Sequence, residues 1–203
     1  DRAADAAGDP VIPAFTQTVR SFGIDHGDVT AFLTSGMLLK PPFSRSPERT
    51  TAVLALSSMS ASHTSRFDKV EQATDGKVSF LNAPHNRWTS YESANATDWL
   101  EVDFGASRTI DEIDVFTVQD GHGSPEEPTE EMLFSLYGIT DFDVQYWTGS
   151  GWVTVPNGSV TGNNQVWRQF TFDAIATSKV RVLVNNALNS RSRVVELEAW
   201  GTA

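Results

Sequence analysis

Hydrophobic and polar residues alternate in short segments along most of the chain. In the segment WLEVDFG the apolar positions are Leu100, Val102 and Phe104, and the acids Glu101 and Asp103 stand between them. An extended strand would bury the apolar side chains and present both carboxylates on the opposite face. Carboxylates two residues apart on a strand are separated by roughly 6.5–7 Å, which is compatible with the acid pairs of glycoside hydrolases. The pattern alone therefore leaves both a catalytic pair and a solvated surface open.

Short segments rich in β-branched and aromatic residues, separated by Gly, Asn, Asp and Pro, predict about eight strands. The expected strands span residues 51–60, 99–104, 109–118, 141–147, 152–155, 166–172, 179–184 and 193–200. The sequence TGSGW at 148–152 is typical of a hairpin turn, and PNGS at 156–159 is expected to end the following strand. Because no convincing helix separates the strands, the pattern predicts an all-β antiparallel sandwich.

The N-terminal part of the chain has a different character. It begins with the Ala- and Asp-rich sequence DRAADAAGDP and holds one passable helix, from Asp28 as the N-cap to Met37. We place a boundary near Pro47, which gives an irregular or partly helical extension at 1–49 and a β-sandwich at 50–203. The extension is expected to be a linker or the end of a preceding module, because so short a segment can hardly bury a core of its own.

Composition and charge narrow the function classes. The chain has 203 residues, 39% of them hydrophobic, which is enough for one domain with a sizeable core. It has no cysteine, so disulfides and thiolate metal sites are excluded. Twenty-six acidic residues against fifteen basic ones give a net charge of −11. This charge repels phosphate backbones and anionic headgroups, so nucleic acid and anionic membranes are not expected as partners.

The residue types that carry catalysis or bind metals form no recognisable motif. The histidines His26, His63, His85 and His122 stand singly, without the HxH or HExxH spacing of zinc sites. No GxSxG or P-loop sequence occurs, and the acidic segment GHGSPEEPTEEM at 121–132 is expected to be a solvated loop. We therefore expect a protein without catalytic activity.

Eight segments occur in a characteristic order: VLALSSMSASHTS, ATDG at 73–76, NRWTS at 86–90, WLEVDFG, TIDEIDVFTV at 109–118, FDVQYWTGSGWVTV, FTFDAIATSKVRVLV at 170–184 and SRVVELEAWG at 192–201. In this order and spacing they resemble the discoidin superfamily, also called coagulation factor V/VIII type C, which includes the family 32 carbohydrate-binding modules. The resemblance covers about residues 50–201. It implies an eight-stranded jelly roll of the galactose-binding-like type.

The resemblance implies a non-catalytic carbohydrate-binding module that targets an attached enzyme or surface protein to a glycan or polysaccharide. The attached enzyme would be a glycoside hydrolase or a polysaccharide lyase, so a neighbouring catalytic domain is an expected partner. A bacterial location outside the cell, secreted or at the cell surface, is expected with it. The alternative is a protein-interaction or structural accessory domain that packs on a neighbouring catalytic domain and binds no sugar.

The resemblance also bears on the acids and tryptophans. It implies that Glu101 and Asp103 lie on the outer, solvated face of their strand, and it places Trp88, Trp99 and Trp200 in the core. The remaining tryptophans can be sugar platforms or cross-strand partners: Trp147, Trp152 and Trp167.

A structural calcium ion is a further implication of the resemblance. Its side-chain ligands would be Asp75 and Glu196, joined by the backbone carbonyls of Gln72, Lys77 and Val195, and such oxygen donors suit Ca²⁺. Lys77 departs from the family pattern, so its ammonium group is expected to point away from the ion. The alternative is that Asp75 forms only an Asp-Gly turn and that Glu196 pairs with a surface base.

The sugar site implied by the resemblance lies in loops at one end of the sandwich, at 62–69, 119–128 and 186–193. These loops offer an aromatic ring together with planar donors and acceptors, which is the mixture that a sugar needs. The candidate residues are His63, Phe67, Gln119, Asp120, His122, Asn189 and Arg191. Val118 stands where galactose-binding relatives tend to have an arginine, so no particular sugar is predicted.

Overall fold

The computed structural model describes residues 50–51, 58–121 and 123–201, whose regular structure is mainly β. The strands are β1 (Thr50–Thr51), β2 (Ser58–Ala61), β3 (Trp88–Thr89), β4 (Asp98–Thr117), β5 (Ile139–Trp147), β6 (Trp152–Val160), β7 (Trp167–Ala187) and β8 (Arg193–Gly201). Short 3₁₀ helices span Val70–Thr74 and Leu188–Ser190, and no helix in this part of the chain is long and apolar enough to cross a membrane. The extension predicted at 1–49 lies outside the described residues and stays a prediction.

The strands pair in an antiparallel arrangement around the long strands β4 and β7. Six of them lie in the order β1-β8-β4-β7-β5-β6, while β2 pairs with β4 and β3 pairs with β8. Strand β4 pairs with β2 near its start and with β8 near its end, and its register against β7 shifts between Asp103 and Arg108. Such irregularities let one strand bend and serve both layers of a sandwich. The architecture is therefore the predicted all-β antiparallel sandwich.

Two long strands replace four of the shorter ones that the sequence predicts. The segments at 99–104 and 109–118 are the two halves of β4, and those at 166–172 and 179–184 belong to the two halves of β7. The polar sequence GASR between the halves of β4 is typical of a turn, but here it only interrupts the ladder. The short strand β3 was not predicted, because two residues are too few to show an alternation.

The turns around β6 show one confirmed prediction and one error. TGSGW is the expected hairpin turn, closed by a 3.0 Å hydrogen bond from the Thr148 amide to the Gly151 carbonyl. The sequence PNGS does not end the strand as predicted, since β6 continues to Val160. Instead, PNGS forms an irregular segment where the register against β5 shifts, and Asn157 has a φ of 59°. Asparagine tolerates this left-handed conformation better than most residues, so the same residue type serves a bulge as well as a turn.

Alternation with a period of two residues builds the core. Leu100 and Val102 of β4 are fully buried and stand opposite Val182 and Val180 of β7. Burying side chains of this size contributes roughly 1.5–3 kcal/mol each. A slip of one residue would turn the whole row to the outer face, so the buried row fixes the register of the central pair.

The carboxylates of Glu101 and Asp103 lie on the face opposite to this row, as predicted. Both carboxylates contact one ammonium group, Lys179 Nζ, at 3.1 Å from Glu101 Oε1 and 3.0 Å from Asp103 Oδ2. The Gly105 amide and Lys179 hold the pKa of Asp103 below its ordinary value. A general acid needs a raised pKa at working pH, so this pair is organised as a surface ion cluster.

The three tryptophans that the resemblance places in the core differ in how deeply they are buried. Trp88 is completely buried and donates a 2.9 Å hydrogen bond from its indole nitrogen to the carbonyl of His63. Trp99 and Trp200 are only half-buried, so their placement in the core is wrong. Trp99 stands next to the buried Leu100, and alternation along β4 turns it to the other face.

The three ambiguous tryptophans separate into two kinds. Trp147 and Trp152 face each other across β5 and β6, with ring centroids 5.4 Å apart in an edge-to-face arrangement. This is the cross-strand pair that the sequence allowed. Trp167 is 9% exposed and stacks on Phe116 with centroids 5.3 Å apart, and its indole donates to Asp114. Trp167 is thus a core residue and not a sugar platform.

Candidate functional site

Three loops meet beside β3: the loop at 62–69, the β3–β4 loop at 90–97 and the β7–β8 loop at 188–192. The first is joined to β3 by a 2.8 Å hydrogen bond from the Ser65 amide to the Thr89 carbonyl. The other two are joined to each other, because the amide of Ser90 donates to the Ser192 carbonyl at 3.0 Å and the Ser192 amide donates to Ser90 Oγ at 3.0 Å. Segments far apart in sequence are therefore held in fixed positions.

The carboxylate of Asp98, the first residue of β4, ties these loops together. Asp98 Oδ1 accepts hydrogen bonds from Ser62 Oγ and Ser93 Oγ, both at 2.8 Å, and from Asn95 Nδ2 at 3.3 Å. Asp98 Oδ2 accepts from Ser192 Oγ at 3.5 Å. One carboxylate thus contacts all three loops, and we refer to these contacts as the Asp98 hub.

Asp98 is ionised within this hub. The residue is only 7% exposed, and burial by itself disfavours the charge. Hydrogen bonds from Ser90, Ser93, Ser62 and Asn95 outweigh the burial and hold the pKa of Asp98 below its ordinary value. A neutral side chain could not accept all of these bonds as well, so the hub depends on the negative charge.

Four planar side chains on the same three loops form a cluster that we call the stack: Arg66, Phe67, Tyr91 and Arg191. The guanidinium carbon of Arg66 lies 4.7 Å from the Phe67 ring centroid. The Phe67 and Tyr91 rings are 6.3 Å apart and tilted by 30°. The guanidinium carbon of Arg191 lies 4.4 Å from the Tyr91 centroid. Phe67 is 57% exposed, so the stack forms part of the surface.

The stack brings together three of the residues predicted for the sugar site. Phe67 and Arg191 belong to it directly, and His63 contacts it because His63 Nε2 lies 3.0 Å from the Tyr91 carbonyl oxygen. Tyr91, the residue that connects them, was missed by the sequence analysis. Its signal was an aromatic residue in the polar segment YESANAT, immediately after the NRWTS segment.

Two other predicted residues are engaged within the protein. Gln119 is 5% exposed, and its amide exchanges two 2.9 Å hydrogen bonds with the backbone of Glu126. The carboxylate of Asp120 accepts from the Ser135 amide and hydroxyl at 2.7 and 2.9 Å and from the Leu136 amide at 3.0 Å. Both side chains therefore shape the loops around them with the same polar atoms that a sugar would need.

The last two predicted residues are not part of the stack as described. Asn189 is exposed and adopts a left-handed conformation, with a φ of 57°, in the loop that carries Arg191. His122 lies outside the described residues. The prediction that these two side chains contact a sugar stays a prediction.

A buried arginine positions the loop that carries Arg191. The Nη1 atom of Arg193 donates to the carbonyls of Tyr137 at 2.9 Å, Leu188 at 3.3 Å and Arg191 at 3.3 Å. Burial, together with repulsion from the nearby Arg191 and Arg87, lowers the pKa of Arg193 to about 10. Arg193 thus lies within electrostatic reach of two other guanidinium groups in a chain whose net charge is −11.

The residues predicted for calcium form a second cluster, where the 3₁₀ helix Val70–Thr74 approaches β8. Glu196 is 3% exposed, and its Oε1 accepts from the Gly76 amide at 2.9 Å. Its Oε2 is buried without a hydrogen-bond partner. Burial raises the pKa of Glu196 to about 8, against the Gly76 bond. Glu196 is therefore not paired with a surface base, the alternative that the sequence left open.

The surroundings of Asp75 differ from the prediction in one respect. The ammonium of Lys77 does not point away, since Lys77 Nζ lies 2.9 Å from Asp75 Oδ2. The Lys77 amide also donates to Asp75 Oδ1 at 3.1 Å, which forms the Asp-Gly turn. The side-chain amide of Gln72 donates to the carbonyl of His85. Val195 lies in the core, so its contribution to a metal site could come only from its carbonyl group.

The histidines of the described residues have other partners than a metal. His85 Nδ1 lies 2.7 Å from Asp68 Oδ1, and His63 contacts the Tyr91 backbone. Over the described residues, no three His, Cys, Asp or Glu side chains are grouped as they would be to hold a metal ion. His26 and His122 lie outside this part of the chain.

Comparisons with known proteins agree with the fold. The family model of NedA-like, galactose-binding domains matches residues 72–182, more than half of the chain. The chain belongs to this F5/F8 type C family. No curated protein sequence matches it.

Three of the solved structures that are similar to this F5/F8 type C domain are carbohydrate-binding modules. The family 32 module of C. perfringens NanJ, solved with galactose, has a TM-score of 0.56 and 18% identity over 75% of this chain and 99% of its own. A fucose-binding module of Streptococcus pneumoniae, SpX-3, has a TM-score of 0.59 and 14% identity over 76% and 99%. A chitosan-binding module of a Paenibacillus sp. IK-5 chitosanase/glucanase has a TM-score of 0.55 and 19% identity over 75% and 99%. At these identities the comparisons establish the fold.

The Asp98 hub can be tested through stability. We expect Asp98→Asn to lower the free energy of unfolding near neutral pH by about 1–3 kcal/mol, because buried hydroxyl donors lose their charged acceptor. Since the folded-state pKa lies below the ordinary 3.8, the ionised carboxylate stabilises the fold above that value, and this contribution is lost as the pH falls through the folded-state pKa. Urea unfolding is measured from neutral pH to below pH 3.8. The difference in the free energy of unfolding between wild type and Asp98→Asn should become smaller as the pH falls.

A matched control is Asp173→Asn, which changes an exposed aspartate of β7. It should leave the free energy of unfolding unchanged within about 0.5 kcal/mol. If the difference in the free energy of unfolding between wild type and Asp98→Asn stays constant down to the lowest pH measured, the account of the hub is wrong.

Proposed function

We propose that the protein is a non-catalytic carbohydrate-binding module and that the stack is part of its glycan site. The observation that carries the proposal is the gathering of Phe67, Tyr91 and Arg191 from three loops, at the surface of a domain that belongs to a galactose-binding family. Aromatic rings contact the C–H groups of a sugar, and guanidinium N–H groups donate to its hydroxyls. These are the two kinds of contact that a sugar site requires.

The similar structures support this proposal through the ligands named for them. One was solved with galactose, one is a fucose-binding module and one is a chitosan-binding module. Because these ligands differ from one another, the fold does not specify a sugar. The identity of the ligand has to come from the side chains of the site.

The biological role that we propose is targeting. A module of this kind would hold an attached hydrolase, lyase or surface protein of a bacterium near its glycan, outside the cell. Binding at a shallow surface site is expected to be weak, on the order of 0.1–1 mM, because few ligand atoms are buried and hydroxyl groups must be desolvated. Targeting tolerates weak binding, since the linked domain benefits from a high effective concentration.

The proposal is tested by a glycan array followed by titration of the best hit. Phe67→Ala and Arg191→Ala are each expected to weaken binding about tenfold or more, as the loss of one apolar contact or one charge-assisted hydrogen bond should do. The matched controls are Leu136→Ala and Arg108→Ala, which change an exposed apolar residue and an exposed arginine outside the stack. The controls should bind like wild type.

Two results would overturn the proposal. A blank array would favour the alternative, in which the domain packs on a neighbouring catalytic domain and binds no sugar. Binding that survives both Phe67→Ala and Arg191→Ala unchanged would place the glycan site elsewhere on the domain.

We also propose that Glu196 and Asp75 hold a structural calcium ion. The buried oxygen Glu196 Oε2 has no hydrogen-bond partner, and an orphaned carboxylate oxygen is costly unless a cation neutralises it. Asp75 lies close enough for its charge to contribute, after burial, to the raised pKa of Glu196. The donors are therefore oxygen atoms of the kind that Ca²⁺ prefers, although Lys77 competes for the Asp75 carboxylate. When bound, the ion would neutralise the negative charge of the two carboxylates.

Thermal unfolding with calcium and with excess chelator tests this site. If calcium binds the folded state, chelation should lower the Tm by roughly 3 °C or more, by mass action. Glu196→Gln should abolish the difference between the two conditions, whereas Glu101→Gln, a change in the Lys179 cluster, should retain it. Equal melting temperatures of wild type in calcium and in chelator, with no calcium found by elemental analysis, would exclude the ion.

A further inference from the structure

The geometry points to an acidic sugar as the ligand: Arg191 is placed to bind the carboxylate of a glycan at the stack. This inference rests on the proposed function, since it names the chemical class of glycan that the same site binds. The inference is based on the arrangement of the rings and guanidinium groups in the stack and on the charged side chains around Arg191.

The aromatic faces of the stack are already in contact with cations. The Arg66 guanidinium lies over Phe67 and the Arg191 guanidinium lies over Tyr91, while the two rings are tilted by 30° with centroids 6.3 Å apart. A sugar can therefore reach the edges of the layers more easily than a bare ring face. The edges of guanidinium groups carry N–H donors in a planar fork, which matches the two oxygens of a carboxylate.

The two arginines of the stack differ in whether an acid neutralises them. Arg66 lies 3.8 Å from the carboxylate of Glu92. Arg191 is half-buried, and among the described residues no carboxylate oxygen lies within 4.0 Å of its guanidinium nitrogens and no hydrogen bond engages them. Arg191 therefore has its donors available for a ligand.

The surroundings of Arg191 add positive charge instead of cancelling it. Arg193 lies within electrostatic reach of Arg191 and also of Arg87 and Asp68, and the Asp68 carboxylate lies 2.7 Å from His85 Nδ1. The Asp98 carboxylate is buried in its hub and saturated with hydroxyl and amide donors. Holding like charges together is unfavourable unless an anion neutralises them, so the cluster favours a negatively charged ligand.

The net charge of −11 does not conflict with this inference. Screening limits the reach of the overall charge to about 8 Å at physiological ionic strength. A polymer with many phosphates meets the whole acidic surface, whereas a single carboxylate at the stack meets mainly Arg191 and its neighbours. The charge distribution thus selects an acidic sugar over a polyphosphate.

Three pairs of sugars test the inference: galacturonic acid and galactose, and glucuronic acid and glucose, which differ only in the carboxylate at C6, and sialyllactose and lactose, which differ by a whole sialic acid residue. The purified protein is titrated with each, and dissociation constants are measured from amide shifts in NMR spectra. We expect at least one acid to bind about tenfold or more tightly than its neutral partner, as a charge-assisted bidentate contact should provide. Arg191→Gln should remove this preference, and Arg191→Lys should retain only part of it because the planar fork is lost. Arg108→Gln is the control and should keep the wild-type preference.

The outcomes separate this inference from the proposed function. The inference of an acidic ligand is wrong if each acidic sugar and its neutral counterpart bind with equal affinity, or if Arg191→Gln weakens the binding of both equally. Either result would leave a glycan site at the stack. An array on which only neutral glycans bind would do the same. Absence of binding to all six sugars overturns the acidic ligand, and a blank array of neutral and acidic glycans overturns the proposed function as well.

Discussion

The negative charge of Asp98, held in a nearly water-free position, is the constraint on which the rest of the site depends. Its oxygens accept hydrogen bonds from Ser62, Ser93 and Ser192, which belong to three different loops. Burying a carboxylate is expensive unless its hydrogen bonds are made, so the loops can reach low free energy only when they are together. The positions of Phe67 and Arg191 follow from that requirement, because the same loops carry them.

Charge is distributed in layers around this point. The buried Asp98 carboxylate is hydrogen-bonded to the loops, and the guanidinium groups of Arg66, Arg191 and Arg193 lie over aromatic rings. On the outer face of β4, Lys179 holds Glu101 and Asp103 in an ion cluster of opposite character. A domain that is acidic overall therefore presents a local cationic surface at its loops, and this contrast distinguishes the site from the rest of the protein.

The sequence analysis predicts those features of the fold that depend on residues close together in the chain. The buried row of Leu100 and Val102 was predicted because strand alternation is local, and the TGSGW turn was predicted for the same reason. The Asp98 hub was not, since its partners lie up to 94 residues away in sequence. Tyr91 was missed because one aromatic residue in a polar loop gives no periodic signal. Gln119 and Asp120 are the right residue types for a sugar, but only the structure shows that neighbouring loops already engage their polar atoms.

The most direct test of the account is a crystal structure of the domain with the glycan that binds it best. The account predicts that the sugar lies on the loops tied to Asp98, within hydrogen-bond distance of the Arg191 guanidinium and in contact with the Phe67 ring. A glycan bound at the Trp147–Trp152 pair or at another surface, with Phe67 and Arg191 making no contact to it, would contradict the account.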